Sequence, residues 1–254
     1  MSLPPSRNAA AKRKGILLED LTWQEAEACL CPETIVVIPI GAASKEHGPH
    51  LKLKNDWLLA EYFKAEVLKR VDVVVAPTFN YNYYPAFLEY PGSVSLRLET
   101  ARDLMVDVCQ SLARYGPQKF YALNTGISTI RPLELAAKIL ANEGIQLRYS
   151  DLPQITRQVE TEIKQEEGGT HADEIETSMM LFIAPSTVDM SKAVKDFYPS
   201  AKGGLTRNPQ SEGAYSASGV HGDATLATHE KGELLVRIAV AGILKEIEEF
   251  HRGN

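Results

Sequence analysis

Thr34–Ile40 runs Thr-Ile-Val-Val-Ile-Pro-Ile, an apolar stretch rich in β-branched side chains. A strand with no polar face has to be covered on both sides, which points to a sheet packed between helices. Val71–Ala76, stopped by Pro77, is a second such run, and Lys119–Leu123 and Ile145–Tyr149 continue the series. Between them the apolar positions recur at helical spacing: Leu58, Leu59, Phe63, Val67 and Leu68, then Leu104, Met105, Val108 and Leu112 before Gly116. Pro132 suits the first turn of a further helix. The alternation predicts an α/β fold, a mostly parallel sheet with helices on both faces.

A length of 254 residues suits one large domain, taken here as 16–254, behind a frayed tail at 1–15. The tail has basic residues but no apolar region after them, so it does not read as a signal peptide. No segment approaches the length of a membrane span, and no fixed repeat is visible. A net charge of -6 leaves no basic field for nucleic acid or an anionic membrane. Cys29, Cys31 and Cys109 are too few and wrongly spaced for a disulfide framework or a four-thiolate zinc site, so a reducing, cytoplasmic setting is expected and the thiols are taken as buried.

The chemistry gathers just past the first buried strand, in Lys45-Glu46-His47-Gly48-Pro49-His50 and on to Asp56, which caps or opens the next helix. Thr22 and Glu25 form a capping box for an earlier helix. The aromatic loop 79–87, with Tyr84 and Phe87, is of a kind that lines clefts. Residues 124–129 form a small-residue turn between a strand and a helix. Residues 155–167 are read as a solvated helix or cover, and 191–218 as a loop able to act as a lid. The last helix, from about 227 to 250, is expected to pack through Leu234, Leu235, Ile238, Leu244 and Ile247.

Thr170–Ser178 begins a helix whose apolar arc is set by Ile175, Met179, Met180, Phe182 and Ile183. At ~100° per residue, Glu176 falls inside that arc and Glu174 on the opposite, solvated side. A carboxylate facing the core needs a cation, a hydrogen-bond cluster or a metal. His47, Asp56 and Glu176 offer an imidazole and two carboxylates, a donor set used by zinc, manganese or iron hydrolases, with His171 able to move a proton. The alternative is a group of satisfied polar residues at a strand end.

Several motifs resemble those of the creatininase (creatinine amidohydrolase) family. Gly41 to Asp56 resembles G-S-x-E-x-H-G-P-H-L-P-x-x-x-D, and Tyr90-Pro91-Gly92-Ser93 its F-P-G-T turn. Asn124 to Thr129 resembles N-G-H-G-G-N, His171 to Ser178 resembles H-A-G-x-x-E-T-S, and Gly219 to Asp223 resembles G-V-x-G-D-P. The resemblance implies an α/β/α sandwich, commonly hexameric, with one or two metal ions hydrolysing C–N bonds of small amides. It places metal ligands at His47, Asp56 and Glu176 and the proton-handling histidine at His171. His50, Ser128 and Asp223 within these stretches, with Tyr84 and Phe87 of the aromatic loop, are candidates for substrate contact.

The chain departs from the family pattern where Lys45 replaces a glutamate, Gly126 a histidine, and Ala86 and Phe87 an acid and histidine pair. In dinuclear members the missing glutamate and the histidine lost at Gly126 serve one metal, so a single divalent ion is expected, zinc first, manganese or iron as alternatives. Lys45 would then fill part of the vacated space; otherwise it faces solvent and Glu46 swings in as a ligand. Lys45 and Glu46 thus join His171 as candidate catalytic residues. The expected function is hydrolysis of an amide or cyclic amide other than creatinine. A degenerate member that binds a small ligand or serves as a structural subunit is the alternative.

Overall fold

The computed structural model describes residues 15–198 and 204–253. The expected tail, Gly15 aside, and positions 199–203 of the expected lid lie outside them. Five strands make a wholly parallel sheet: β1 (Ile16–Leu17), β2 (Ile35–Ile40), β3 (Val74–Val75), β4 (Lys119–Asn124) and β5 (Gln146–Tyr149), ordered β1-β3-β2-β4-β5. β2 is buried throughout and pairs with β4 from Ile35 opposite Lys119 to Ile40 opposite Asn124. The run at 71–76 enters the ladder only at Val74 and Val75.

Alternate residues of β2 serve opposite layers. Ile35 and Val37 pack with α2 (Asn55–Arg70), α5 (Leu152–Ile163), α6 (Glu174–Ile183) and α7 (His229–Arg252). Val36, Ile38 and Ile40 pack with α1 (Trp23–Cys29), α3 (Leu98–Ala113) and α4 (Ile130–Ala141). The result is the expected α/β/α sandwich. Because β3 lies on one side of β2 and β4 on the other, the chain reverses direction across the sheet at β2, and α/β sheets bind ligands at the carboxyl end of such a switch point.

Local signals hold at several helix ends. The Thr22–Glu25 capping box forms, and Asp56 opens α2 from within its first turn while Lys54 takes the N-cap position. α6 begins at Glu174, later than expected, because Asp173 caps it by accepting from the amides of Ile175 and Glu176. Other expectations are corrected. α5 is not a solvated cover: Leu152, Thr156 and Val159 are buried and the helix packs on α7. On α7 the inner stripe is Leu235, Val236, Ala239, Ile243, Ile247 and Phe250, leaving Leu234 and Ile238 exposed. Cys109 is buried, but Cys29 and Cys31 are half-buried. No helix of the described residues is long and apolar enough to cross a membrane.

Candidate functional site

Gly41 ends β2 against the first turn of α2. A Cβ there would lie 2.3 Å from the carbonyl oxygen of Asp56 and 2.7 Å from Ala60 Cβ, so only glycine lets Asp56 sit this close to the strand end. Beyond it the backbone carbonyls of two successive residues hold two imidazoles. His47 Nδ1 donates to Lys45 O at 2.9 Å, and His171 Nε2 donates to Glu46 O at 2.9 Å. A carbonyl accepts only, so each of these nitrogens carries a hydrogen; the other nitrogen of His171 turns toward Glu176, and that of His47 lies between Asp56 and Glu176. His47 Nε2 lies 3.4 Å from Glu176 Oε1, and His171 Nδ1 lies 3.6 Å from Glu176 Oε2.

Glu176 is aimed by its neighbours. Its Oε2 accepts the Ala172 amide at 2.7 Å, and its Oε1 accepts Asn55 Nδ2 at 3.3 Å. Ala172 has φ of +48°, a left-handed conformation in which a Cβ is strained by roughly 1–2 kcal/mol. That turn brings His171 back toward the start of α6. Among the described residues, His47, His171 and Glu176 offer ligand atoms that all lie within 4.8 Å of one another. Two imidazole nitrogens and a carboxylate fit zinc, manganese or iron(II) by donor chemistry.

Lys45 does not face solvent. Its Nζ is 2.7 Å from Asp56 Oδ2 and lies over Phe87, 4.8 Å from the ring centroid, with Tyr84 at 5.5 Å. The other oxygen of Asp56 is 2.7 Å from His47 Nε2. Burial opposes the charge on Lys45, but Asp56 and Glu176 outweigh it and raise its pKa. Burial likewise opposes a charged His47, and Asp56, followed by Glu176, lifts it to about 9. Against the cost of burial, His47 and Lys45 hold Asp56 well below the usual carboxylate range, and His47 leads in bringing Glu176 down to about 2. Glu46 turns away from Glu176, with Oε2 3.2 Å from His171 Nε2 and Oε1 accepting the Gly48 amide.

A cavity of about 530 Å³ opens over this cluster, lined among others by Lys45, Phe87, Gly126, Ser128, His171 and Glu176. Two of the expected contact residues, Phe87 and Ser128, thus reach it. Tyr84 is buried under Lys45, His50 Nε2 is tied to Thr177 Oγ1 at 2.8 Å, and Asp223 accepts the Thr225 amide at 3.1 Å; these three stand behind the cavity wall. Glu174, expected in solvent, is fully buried: it pairs with Lys231 and accepts the amides of Gln165 and Glu166. Glu166, expected on a solvated stretch, is also buried; it pairs with Lys164 and accepts the Asp223 amide. Asp173 is absent from the sequence-based set of site residues, although an acid three residues before Glu176 and ahead of an apolar run is a readable cap.

Without metal, the four groups give stability a defined pH profile. Asp56 and Glu176, with depressed values, contribute fully above their unfolded pKa near 4 and lose that contribution as pH falls through the folded values. His47 contributes fully below pH 6.5 and loses its contribution as pH rises to about 9. His50, which burial lowers to about 4, costs stability as pH falls from 6.5 because only the unfolded chain then takes up the proton. Asp173, whose carboxyl burial pushes up, opposes the acid-side loss, but it and His47 both lose their contribution as pH rises, so the urea midpoint of the metal-free protein should fall between pH 6.5 and pH 9; a midpoint that climbs across this range would contradict the arrangement.

A family model described as creatinine amidohydrolase matches residues 19–247. The chain belongs to the creatininase family. A creatinine amidohydrolase of Pseudomonas putida is 28% identical over 255 residues, covering 93% of this chain and 97% of that one. A 3-dehydro-scyllo-inosose hydrolase of Thermotoga maritima is 27% identical over 247 residues, covering 86% and 78%. Two solved structures, a manganese creatininase and a mutant creatininase of the Zn-Zn type, both superpose with a TM-score of 0.77, at 26% and 25% identity. The first covers 94% of this chain and 99% of its own, the second 92% and 98%. Against the creatininase motifs, the four departures are not scattered: Lys45, Ala86, Phe87 and Gly126 all line the one cavity.

Proposed function

We propose that this creatininase-family protein is a metal-dependent hydrolase of an amide or cyclic amide other than creatinine, working with one divalent ion, zinc first among the choices. The observation that carries this reading is a pair of imidazoles, each held by a backbone carbonyl, that converge on Glu176 beneath a cavity. Such an ion, when bound, lowers the pKa of a water and polarises a carbonyl. His47 and Glu176 would hold it. Lys45 faces the cavity as a fixed cation; it takes the substrate's carbonyl oxygen and offsets the negative charge that gathers there as the C–N bond opens. Phe87, Leu152 and Met179 give the cavity an apolar wall, which favours a flatter, less polar substrate than the family's acid and histidine pair would.

Lys45 supports the reading of one ion rather than two. Its ammonium supplies Asp56 with a positive charge at 2.7 Å where the family pattern has a ligating glutamate. Elemental analysis of metal-loaded protein should give one equivalent per chain, and a panel of small amides should include a substrate. Two equivalents would refute the single-ion reading; full occupancy without turnover on a broad panel would count against hydrolysis. Converting Lys45→Glu together with Gly126→His should raise the content to two. A Cβ at 126 would press on Thr129 Oγ1 at 3.2 Å, so Thr129 has to give by a few tenths of an ångström, while Tyr84 Cε1 at 3.8 Å is in ordinary contact. An unchanged content would show that the second position is lost for another reason.

The same Lys45–Asp56 pair favours a second reading, a small-ligand binder or structural subunit without catalysis. Homo-oligomeric assembly, a hexamer by family likeness, belongs to either reading, and mass measurement in solution tests it. A cytoplasmic location is part of the same proposal.

A further inference from the structure

We infer that the substrate of this site carries a hydrocarbon group on the acyl side of its amide, and that this group enters the core between α2, α5 and α6. The inference rests on the hydrolase reading and names the class of amide it takes. Each carboxylate of the site has an apolar residue one helical turn further on, and so on the same face: Leu59 follows Asp56 by three positions on α2, and Met179 follows Glu176 by three on α6. Both line the cavity, as do Ile175 and, from α5, Leu152 and Thr156. All five are buried, and the four apolar ones belong to the core layer that covers one face of the sheet. The cavity therefore does not stop at the polar cluster; it continues into that layer.

Nothing on this wall asks for a polar partner. The Thr156 hydroxyl turns to its own helix, 2.7 Å from Leu152 O and in contact with Glu160 Oε1, which leaves its methyl group for the cavity. Folded cores are close-packed, and an unfilled apolar space costs stability in proportion to its volume. Such a space, where it opens on a reactive site, is filled when a hydrocarbon group arrives. Toward the other end of α5 the lining turns polar, with Glu160 and Lys164 joined by Thr170 and His221. Lys164 pairs with Glu166 at 2.9 Å, and His221 Nδ1 lies 3.1 Å from Thr170 Oγ1. The amide nitrogen, which needs hydrogen bonds, is directed to that side and the hydrocarbon to the other.

Binding of a series of simple amides tests this without altering the chain. In NMR titrations of the zinc-loaded and the metal-free protein, acetamide, butyramide and hexanamide should bind progressively more tightly, by about fourfold per buried methylene and thus roughly 15-fold per step. The terminal methyl of hexanamide should show nuclear Overhauser effects to the Met179 ε-methyl, a resonance assigned by its disappearance in Met179→Leu. A gain below about threefold per step, far short of what two buried methylenes supply, overturns the inference, as does bound hexanamide with no contact to Met179. Zinc uptake and release of ammonia from the amides report on the hydrolase separately. Bound zinc with a flat series overturns the hydrocarbon pocket alone; a steep series on protein that takes up no zinc supports the pocket and overturns the metal-dependent reading alone.

Discussion

Glu176→Ala should lower the affinity of this protein for zinc or manganese by at least about 100-fold, the upper end of what outer-shell changes cost at metal sites, and should abolish amide turnover. The carboxylate lies between both imidazoles, at 3.4 and 3.6 Å, so its loss leaves them without a shared acidic partner. Glu174→Ala, two residues earlier on α6, should do the reverse. It leaves Lys231 and the Gln165 and Glu166 amides without their buried partner and should cost about 3–5 kcal/mol of stability, while metal uptake persists in the folded protein. Titration with a competing chelator and urea unfolding measure the two quantities separately. If both variants lost metal and stability together, Glu176 would be a structural carboxylate like its neighbour.

Gly232→Ala should be the most damaging conservative change outside the site. A Cβ at 232 would lie 1.8 Å from the carbonyl oxygen of Ser178 and 3.1 Å from Phe182 Cβ, so α6 and α7 would have to part. Helix propensity favours alanine by up to about 1 kcal/mol, but forced repacking costs about 1–3 kcal/mol and more where backbone is struck. A net loss near 3 kcal/mol corresponds to a fall in Tm of about 6–12 °C for a chain of this size. Gly144→Ala, where a Cβ meets nothing and only the φ of +77° is strained, should cost about 1–2 kcal/mol. Equal losses in the two would mean that the close approach of the helices carries no special weight. Because α6 bears Glu176, the folded Gly232→Ala protein should also bind metal more weakly.

What residue order reveals and what it conceals separate along one line. β2 is plain because a strand covered on both faces has no polar residue to conceal it, and its carboxyl end marks the site. Glu176 stands out because a carboxylate inside an apolar arc is anomalous on its own helix. The same wheel misplaces Glu174: its side of α6 is covered by Lys231 from α7 and by the turn at 165–166, and neither lies near it in sequence. α5 misleads likewise, its charges disguising the stripe of Leu152, Thr156 and Val159 that α7 covers. Of the expected stripe on α7, Leu235 and Ile247 are buried while Leu234 and Ile238 are exposed, a rotation that only neighbouring helices determine. Lys45 has two orientations open to it in the sequence, and the rings of Phe87 and Tyr84, both distant along the chain, decide between them.

The ion pair between Lys45 and Asp56 also bears on how the protein comes into being. Where clustered carboxylates await an ion from solution, a newly made chain depends on metal supply to quiet their mutual repulsion. Here one compensating charge is covalently part of the polypeptide and arrives with translation, and a raised His47 pKa adds a second from the solvent's protons. The metal-free protein is therefore expected to fold on its own, and urea unfolding with and without a chelator should give similar midpoints.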